Sequence, residues 1–257
     1  MKMNHLNLIE ENSFKYVQSG EGQPIIILHG LMGGLSNFDK VLLFFPQKGY
    51  KVIMPILPLY DKTVLDTTVK AFAEYLNDFL LYKKLDSVIL LGNSLGGHIA
   101  LLFAKIFKPK VLGLILTGSS GLYENSMGDG YPKRGNYNYI KTKTEEVFFN
   151  SKIATKELVD EIFETVNDRN KLIKTLTIAK SAIRHNMAND LPNIKNPTLI
   201  IWGKQDSVTP PSVAKEFDSL LPNSSLVWIN NCGHAPMMEH PDEFNTFVFE
   251  WLQKKRF

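Results

Sequence analysis

Residues 88–97 read VILLGNSLGG, and this stretch decides the fold. Four apolar residues typical of a buried strand lead directly into GNSLG at 92–96, and a helical pattern follows at once. A G-x-S-x-G motif between a strand and a helix needs its glycines, because side chains at Gly92 or Gly96 would crowd a sharp turn. Such a turn raises the serine hydroxyl above the edge of a sheet. The stretch therefore predicts Ser94 as a nucleophile.

A serine hydroxyl is a weak nucleophile at neutral pH and needs a base, usually a histidine that a third group orients. His234 lies in the turn CGHAP, shortly after the apolar run 226–229. Asp206 follows the apolar run 198–202 in the same way, and ligands of open α/β sheets bind beyond the carboxyl ends of the strands. The chain order Ser, Asp, His is the one expected with this type of elbow. We therefore predict Ser94, Asp206 and His234 as a catalytic triad.

Other histidines and aspartates fit the triad less well. His98 lies one helical turn beyond the nucleophile and is carried away from the hydroxyl, whereas His185 falls in a segment where contact with a substrate stays open. Asp61 and Asp129 are weaker alternatives for the carboxylate. The remaining histidines are predicted to have surface or structural roles: His5, His29 and His240.

Negative charge that develops on a substrate oxygen needs N–H donors close by. The Leu95 N–H begins the helix after the elbow, at the positive end of the helix dipole. The glycine-rich turn HGLMGG at 29–34 follows the apolar run 25–28 and offers a second donor, for which we predict the Leu31 N–H. A phosphate-binding interpretation of this turn is weak, because the sequence contains neither G-x-x-x-x-G-K-[ST] nor G-x-G-x-x-G.

Short apolar runs alternate with helical patterns along most of the chain, which predicts the α/β class with a mostly parallel sheet flanked by helices. The alternation breaks between about residues 119 and 189, where helical sequence begins near Lys143 after a stretch rich in glycine and aromatic residues. We therefore expect a core formed by residues 1–118 and 191–257, with residues 119–190 as a helical insertion.

Composition excludes several classes of protein. The 29 basic residues are spread among 26 acidic ones, so no nucleic-acid partner is expected. Cys232 is the only cysteine, which rules out an intrachain disulfide. We find no signal-peptide pattern, no apolar run long enough to cross a membrane and no metal-binding motif such as H-E-x-x-H. The expectation is a cytoplasmic protein without a cofactor or a membrane partner, and its oligomeric state stays open.

Several of these segments together resemble the α/β-hydrolase superfamily, in its lid-bearing, esterase-like branch. The resemblance rests on HGLMGG at 29–34, GNSLGG at 92–97, IWGKQDSVTP at 201–210 and NCGHAPMMEHPDEFN at 231–245. It implies a helical lid over the strand ends, formed by residues 119–190. It also implies hydrolysis without a cofactor, through an acyl-enzyme.

Within that branch, GNSLGG and EHPDEFN are similar to hydrolases of meta-cleavage products, which cut carbon–carbon bonds in dienoic keto acids. That similarity implies a lid arginine for the substrate carboxylate and a tryptophan shortly after the catalytic histidine. Met237 and Met238 occupy the latter positions here, and the arginine would fall near Ile162, with Arg169 or Arg184 as substitutes. We therefore expect hydrolysis of a small carboxylic ester. Carbon–carbon bond hydrolysis, or a low-turnover ligand-binding module, is the alternative.

The substrate is expected to contact Asn93, Met237 and Arg184. Core packing explains most of the remaining aromatic and methionine residues near the predicted site, although they could also line a pocket: Tyr123, Tyr131, Tyr137, Phe148, Phe149 and Met238.

Overall fold

An eight-stranded sheet runs through the computed structural model, which describes residues 7–125 and 133–257. Its spatial order is β1-β2-β4-β3-β5-β6-β7-β8, and the pairs from β4 onward are parallel. The strands are β1 (Ile9–Glu11), β2 (Phe14–Ser19), β3 (Gln23–Leu28), β4 (Tyr50–Pro55), β5 (Val88–Asn93), β6 (Val111–Thr117), β7 (Thr198–Gly203) and β8 (Ser224–Ile229). The predicted, mostly parallel sheet is confirmed.

The antiparallel edge formed by β1 and β2 is absent from the sequence prediction. Asn12 and Ser13 join these two strands with positive φ angles of 46° and 68°, as in a tight hairpin turn. β1 has only three residues and none of them is fully buried, so it lacks the apolar run that marks the central strands.

Helices cover both faces of the sheet because its central strands are apolar on both sides. Alternate residues of β3 show this: Ile26 and Leu28 belong to the apolar cluster on one face of the sheet, whereas Ile25 and Ile27 belong to the cluster on the other. The helices are α1 (Asp39–Phe44), α2 (Val69–Tyr82), α3 (Leu95–Ile106), α4 (Tyr137–Glu145), α5 (Lys156–Asn167), α6 (Arg169–Arg184), α7 (Pro211–Leu220), α8 (Pro236–Glu239) and α9 (Pro241–Lys255).

Three helices, α4, α5 and α6, lie between β6 and β7, within the segment predicted as an insertion. Ile140, Val166 and Leu172 form a small apolar cluster that holds the three together. The first of them begins at Tyr137, six residues before the predicted start, and its N-cap Asn136 accepts a hydrogen bond from the Tyr139 N–H. None of the helices in the described ranges is both long and apolar enough to span a membrane. The cytoplasmic location stays a prediction.

Candidate active site

Ser94 occupies a strained turn between β5 and α3. Its φ of 54° combined with a ψ of −121° is unusual for a residue that carries a side chain. A Cβ at Gly92 would lie 2.5 Å from the Gly96 carbonyl, and a Cβ at Gly96 would lie 2.0 Å from the Leu28 carbonyl oxygen, so only glycine fits at either position. Ser94 is half-buried between two buried neighbours. The turn thus presents the serine side chain at the carboxyl end of the sheet.

The structure brings Asp206 and His234 together, one from the loop after β7 and one from the loop after β8. His234 Nδ1 lies 2.9 Å from Asp206 Oδ2 and 3.1 Å from Oδ1. The carboxylate also accepts the Val208 and Thr209 N–H groups on Oδ1, each at 2.9 Å, and the Thr209 hydroxyl on Oδ2 at 2.8 Å. Asp206 is therefore fixed by its own loop while it orients the imidazole.

Opposing effects act on the pKa of His234. Burial lowers it, but the charge and hydrogen bond of Asp206, together with the charges of Glu124 and Glu239, outweigh burial and raise the pKa above its ordinary value. An imidazole with a raised pKa is a stronger proton acceptor, and its protonated form is stabilised next to the carboxylate.

Asn93 links the strand that precedes Ser94 to the loop of His234. Its Nδ2 donates to the carbonyl oxygens of Thr117 at 3.0 Å and of His234 at 3.2 Å, and the side chain is only 4% exposed. Because both amide hydrogens are used inside the protein, the prediction that Asn93 contacts substrate is corrected. Asn93 positions His234. The Ser94 hydroxyl makes no hydrogen bond among the described residues, and such catalytic contacts often tighten only in the substrate complex.

Leu31 and Leu95, the two predicted oxyanion donors, both lie close to Ser94. A Cβ at Gly30 would lie 3.2 Å from Ser94 Cβ, so the turn that carries Leu31 passes directly beside Ser94. Leu95 is the first residue of α3, and neither N–H finds an acceptor among the described residues. Both donors are consequently free for a substrate oxygen.

His29 holds the Leu31 turn in place. Its Nε2 accepts the Leu57 N–H at 3.2 Å, so Nδ1 carries the proton and donates to the Gly30 carbonyl at 2.8 Å. Burial lowers the pKa of His29, which keeps the ring neutral. This is the structural role that the sequence suggested for His29.

A cavity of about 190 Å³ is lined by Leu31 and its turn, which pass beside Ser94. One wall comes from the core and the other from α5 of the inserted segment. Glu161 is the only lining residue, among those described, that carries a charge at neutral pH. The lining residues are His29, Leu31, Met32, Gly33, Gly34, Ile56, Leu57, Leu59, Tyr60, Glu161, Ile162 and Thr165.

Two further predicted substrate contacts are corrected by this placement. Met237 is 1% exposed and packs in the core beneath the sheet, where the short helix α8 directs it. Arg184 is exposed at the end of α6 and does not border the cavity. The buried face of α6 includes Ile178 and Ala182, so a residue two positions beyond Ala182 points away from the core. Arg169, at the other end of the helix, is exposed as well.

The secondary candidates also lie away from the site. Asp61 is exposed, and His185 bonds to His98 through an Nδ1–Nε2 contact of 2.9 Å. His98 is buried, and burial, followed by the nearby His185, lowers its pKa to about 3. Asp129 and Tyr131 fall outside the described residues. The remaining aromatic and methionine candidates do not border the cavity: Tyr123, Tyr137, Phe148, Phe149 and Met238.

Comparison with known proteins agrees with this geometry. The model of the alpha/beta hydrolase fold family matches residues 23–241, a range that contains Ser94, Asp206 and His234. The chain belongs to the α/β-hydrolase fold family. The predicted fold class is thereby confirmed.

Several named relatives and solved structures are similar to this α/β hydrolase. It is 28% identical to the 2-hydroxy-6-oxononadienedioate/2-hydroxy-6-oxononatrienedioate hydrolase of Comamonas testosteroni, over 91% of this chain and 89% of that protein. It is 54% identical to an α/β-hydrolase enzyme from the sediment metagenome of the Mar Chica lagoon, Morocco, with a TM-score of 0.82 and coverage of 98% and 100%. A meta-cleavage product hydrolase of Pseudomonas fluorescens IP01 shares the fold, at 21% identity, 96% and 97% coverage and a TM-score of 0.80. The predicted resemblance to meta-cleavage product hydrolases is confirmed.

Sequence reasoning missed several residues of this α/β hydrolase's site. Glu124 follows β6, accepts the Ser120 hydroxyl at 2.7 Å and has a pKa raised by burial. Glu239 accepts hydrogen bonds from the loop of His234, and Glu161 lines the cavity. The motif EHPDEFN contained the signal for Glu239, since it places a carboxylate five residues after His234. Nothing local distinguishes Glu161 from the other acids of α5.

Proposed function

We propose that this α/β hydrolase is a serine hydrolase in which Ser94 attacks an acyl carbon, His234 is the general base and Asp206 orients it. The observation that carries the proposal is the strained Ser94 turn beside a buried Asp206–His234 pair whose contact is 2.9 Å long. The arrangement matches the division of roles in a nucleophile–base–orienter triad.

Each step of the proposed reaction is carried out by a particular residue. His234 Nε2 takes the proton of the Ser94 hydroxyl while the oxygen bonds to the acyl carbon, and the Leu31 and Leu95 N–H groups bind the resulting oxyanion. Collapse of this intermediate breaks the bond to the leaving group, which takes the proton from His234. Water then attacks the acyl-enzyme, loses its proton to His234 and releases the acid, so that Ser94 is free again.

Carbon–carbon bond hydrolysis is the reaction that the named relatives support best. The Comamonas testosteroni relative acts on dienoates with a keto group, and its similarity extends over nearly the whole of both chains. In that reaction the leaving group is carbon, and its electron pair takes the proton from His234. The Ser94 site supplies the nucleophile, the proton-carrying base and the oxyanion donors for these steps, and the electron pair on the leaving carbon is stabilised by the conjugated keto acid of the substrate itself.

Hydrolysis of an uncharged carboxylic ester is the second candidate, and one observation favours it. A dienedioate carries carboxylates, yet the charged side chain in the cavity beside Leu31 is the acid Glu161. Arg169 and Arg184, which could have bound a substrate carboxylate, are exposed on α6 away from the cavity. A negative lining group disfavours a negative substrate.

The test compares the protein with Ser94→Ala on two substrates, a neutral p-nitrophenyl ester and 2-hydroxy-6-oxononadienedioate. Both proteins are also treated with a fluorophosphonate, which reacts with activated serines, and their masses are measured by intact mass spectrometry. We expect one adduct on the unaltered protein and none on Ser94→Ala, whose kcat should fall below about 10⁻³ of the starting value. Circular dichroism checks that the variant is folded.

Each outcome has a definite meaning. Turnover of the dienedioate above that of the ester selects the carbon–carbon hydrolase, and the reverse ratio selects the esterase. Retention of activity in folded Ser94→Ala contradicts the serine mechanism. Absence of both adduct and turnover in the unaltered protein points instead to a ligand-binding module on the same fold.

A further inference from the structure

Glu239 contacts two regions that are far apart in sequence. It ends α8, five residues after His234, and its Oε1 accepts the Gly233 N–H at 2.7 Å. Its Oε2 accepts the Phe149 N–H at 2.9 Å and the Asn150 N–H at 3.0 Å. One carboxylate thus holds the residue next to the base and two residues of the inserted segment.

Residues 146–150 of the inserted segment, which we call the clasp turn, also touch the catalytic loops directly. The His234 N–H donates to the Val147 carbonyl at 3.0 Å, and the Ser207 hydroxyl, next to Asp206, donates to the Glu146 carbonyl at 2.9 Å. The clasp turn therefore binds the loops of both the acid and the base.

Steric fit limits independent movement at this junction. A Cβ at Gly233 would lie 2.6 Å from the Val147 carbonyl oxygen and 2.9 Å from the Phe149 nitrogen. Hydrogen bonds from N–H groups to a carboxylate are also shorter and stronger than neutral ones. A displacement of the His234 loop must consequently break the bonds of Glu239 or move the clasp turn with it.

We propose that Glu239 is a positioning residue that fixes His234 by tying its loop to the clasp turn. The proposal rests on the function proposed above, because it takes His234 as the general base. The side chain of Glu239 itself acts through the backbone of Gly233 and the clasp turn.

The negative charge of Glu239 should affect the pH dependence of catalysis, which can be measured. The acidic groups that act on His234 are Asp206, Glu124 and Glu239, and each of them raises the pKa of the imidazole. The titratable side chain that touches Glu239 is the Cys232 thiol, at 3.9 Å, and burial raises its pKa, so it stays neutral. Removing the charge of Glu239 should consequently lower the pKa of His234. In a plot of kcat/KM against pH, the acidic limb should then move to lower pH.

The experiment uses Glu239→Gln, Glu239→Asp and the control Glu243→Gln, which changes an exposed acid in the first turn of α9. We measure kcat, KM and the pH profile of kcat/KM with a neutral p-nitrophenyl ester, together with thermal unfolding. Glu239→Gln should lower kcat between about tenfold and 10²-fold, because small displacements of a catalytic group are costly, and should shift the acidic limb down. Glu239→Asp keeps the charge but is too short for all three N–H groups, so kcat should fall with the limb unchanged.

Glu243→Gln should behave as the unaltered protein does. Wild-type kcat and an unmoved acidic limb in Glu239→Gln would overturn the proposal, as would a variant that loses thermal stability alone. If Glu239→Gln does not fold, the proposal is tested with Glu239→Asp instead. A kcat equal to that of the unaltered protein in Glu239→Asp overturns the proposal. Failure of fluorophosphonate to label Ser94 in the unaltered protein would instead refute the serine mechanism, so the two failures are distinguishable.

Discussion

The two sides of Ser94 are built differently. On the acid–base side, formed by residues 206–209 and 231–239, the polar side chains of Asp206 and Glu239 accept several hydrogen bonds each. On the cavity side, formed by residues 29–34, 56–60 and 161–165, the walls are mostly apolar, and His29 is the main polar support. The acid–base side fixes a proton acceptor in one orientation, whereas the cavity side offers space whose shape and charge select a substrate.

This difference predicts how substitutions act. Changes on the acid–base side should lower kcat for every substrate, because they disturb a step that all substrates share. Changes on the cavity side should alter the ratio between substrates and leave the pH profile unchanged.

Asp206→Asn should have the largest effect. The amide cannot fix the His234 tautomer or stabilise its charged form, so kcat should fall by about 10⁴-fold, the loss known for the equivalent change in a serine protease. Since the Asp206 charge is the main contribution that raises the pKa of His234, the acidic limb of kcat/KM should also move to lower pH. Asp242→Asn, which changes an exposed residue on α9, is the control. Steady-state kinetics at a series of pH values measure both kcat and the position of the acidic limb. A loss below tenfold would mean that another group orients the base.

Thr209→Val should have a moderate effect on the same side. The substitution preserves shape but removes the hydroxyl that donates to Asp206 Oδ2 at 2.8 Å and lies 3.3 Å from His234 Nδ1. Loss of one hydrogen bond to a charged group should lower kcat by about tenfold, equally for esters of different acyl length. Thr177→Val removes a comparable hydroxyl bond on α6, to the Ile173 carbonyl, and should leave kcat unchanged. A change in the acyl-length profile would contradict the division between the two sides.

The sequence predicted the parts of the site that are determined locally. The elbow could be recognised because glycine spacing around Ser94 reflects close backbone contacts, and Asp206 and His234 because each follows an apolar run. Glu239 meets Phe149 across 90 positions of sequence, and no local pattern reveals such a contact. Arg184 was predicted from residue type alone, and only the packing of α6 shows that it faces solvent. The edge strand β1 was missed because it has three residues and none is buried, and β2, although six residues long, was missed because only two of its residues are buried.

Glu161→Gln should have the smallest effect, and it acts on the cavity side alone. Glu161 is exposed on α5 while it borders the cavity, so its charge is screened by solvent and salt. Removing the charge should raise kcat/KM for an anionic acyl group relative to a neutral one of the same length by about threefold at low ionic strength, the size expected of an exposed charge. Mono-p-nitrophenyl glutarate and p-nitrophenyl pentanoate form such a pair. Glu164→Gln, on the same helix but away from the cavity, should leave the ratio unchanged.

The salt dependence of that ratio completes the test of Glu161. If the charge acts through space, the advantage of Glu161→Gln for the anionic ester should shrink as ionic strength rises, because the Debye length falls to about 8 Å at physiological salt. The acidic limb of kcat/KM should stay in place in this variant, since Glu161 is not among the groups that influence His234. A ratio that does not change, or equal changes for both esters, would show that the acyl group binds outside the cavity. The charge of Glu161 would then no longer favour uncharged esters over dienoates as candidate substrates.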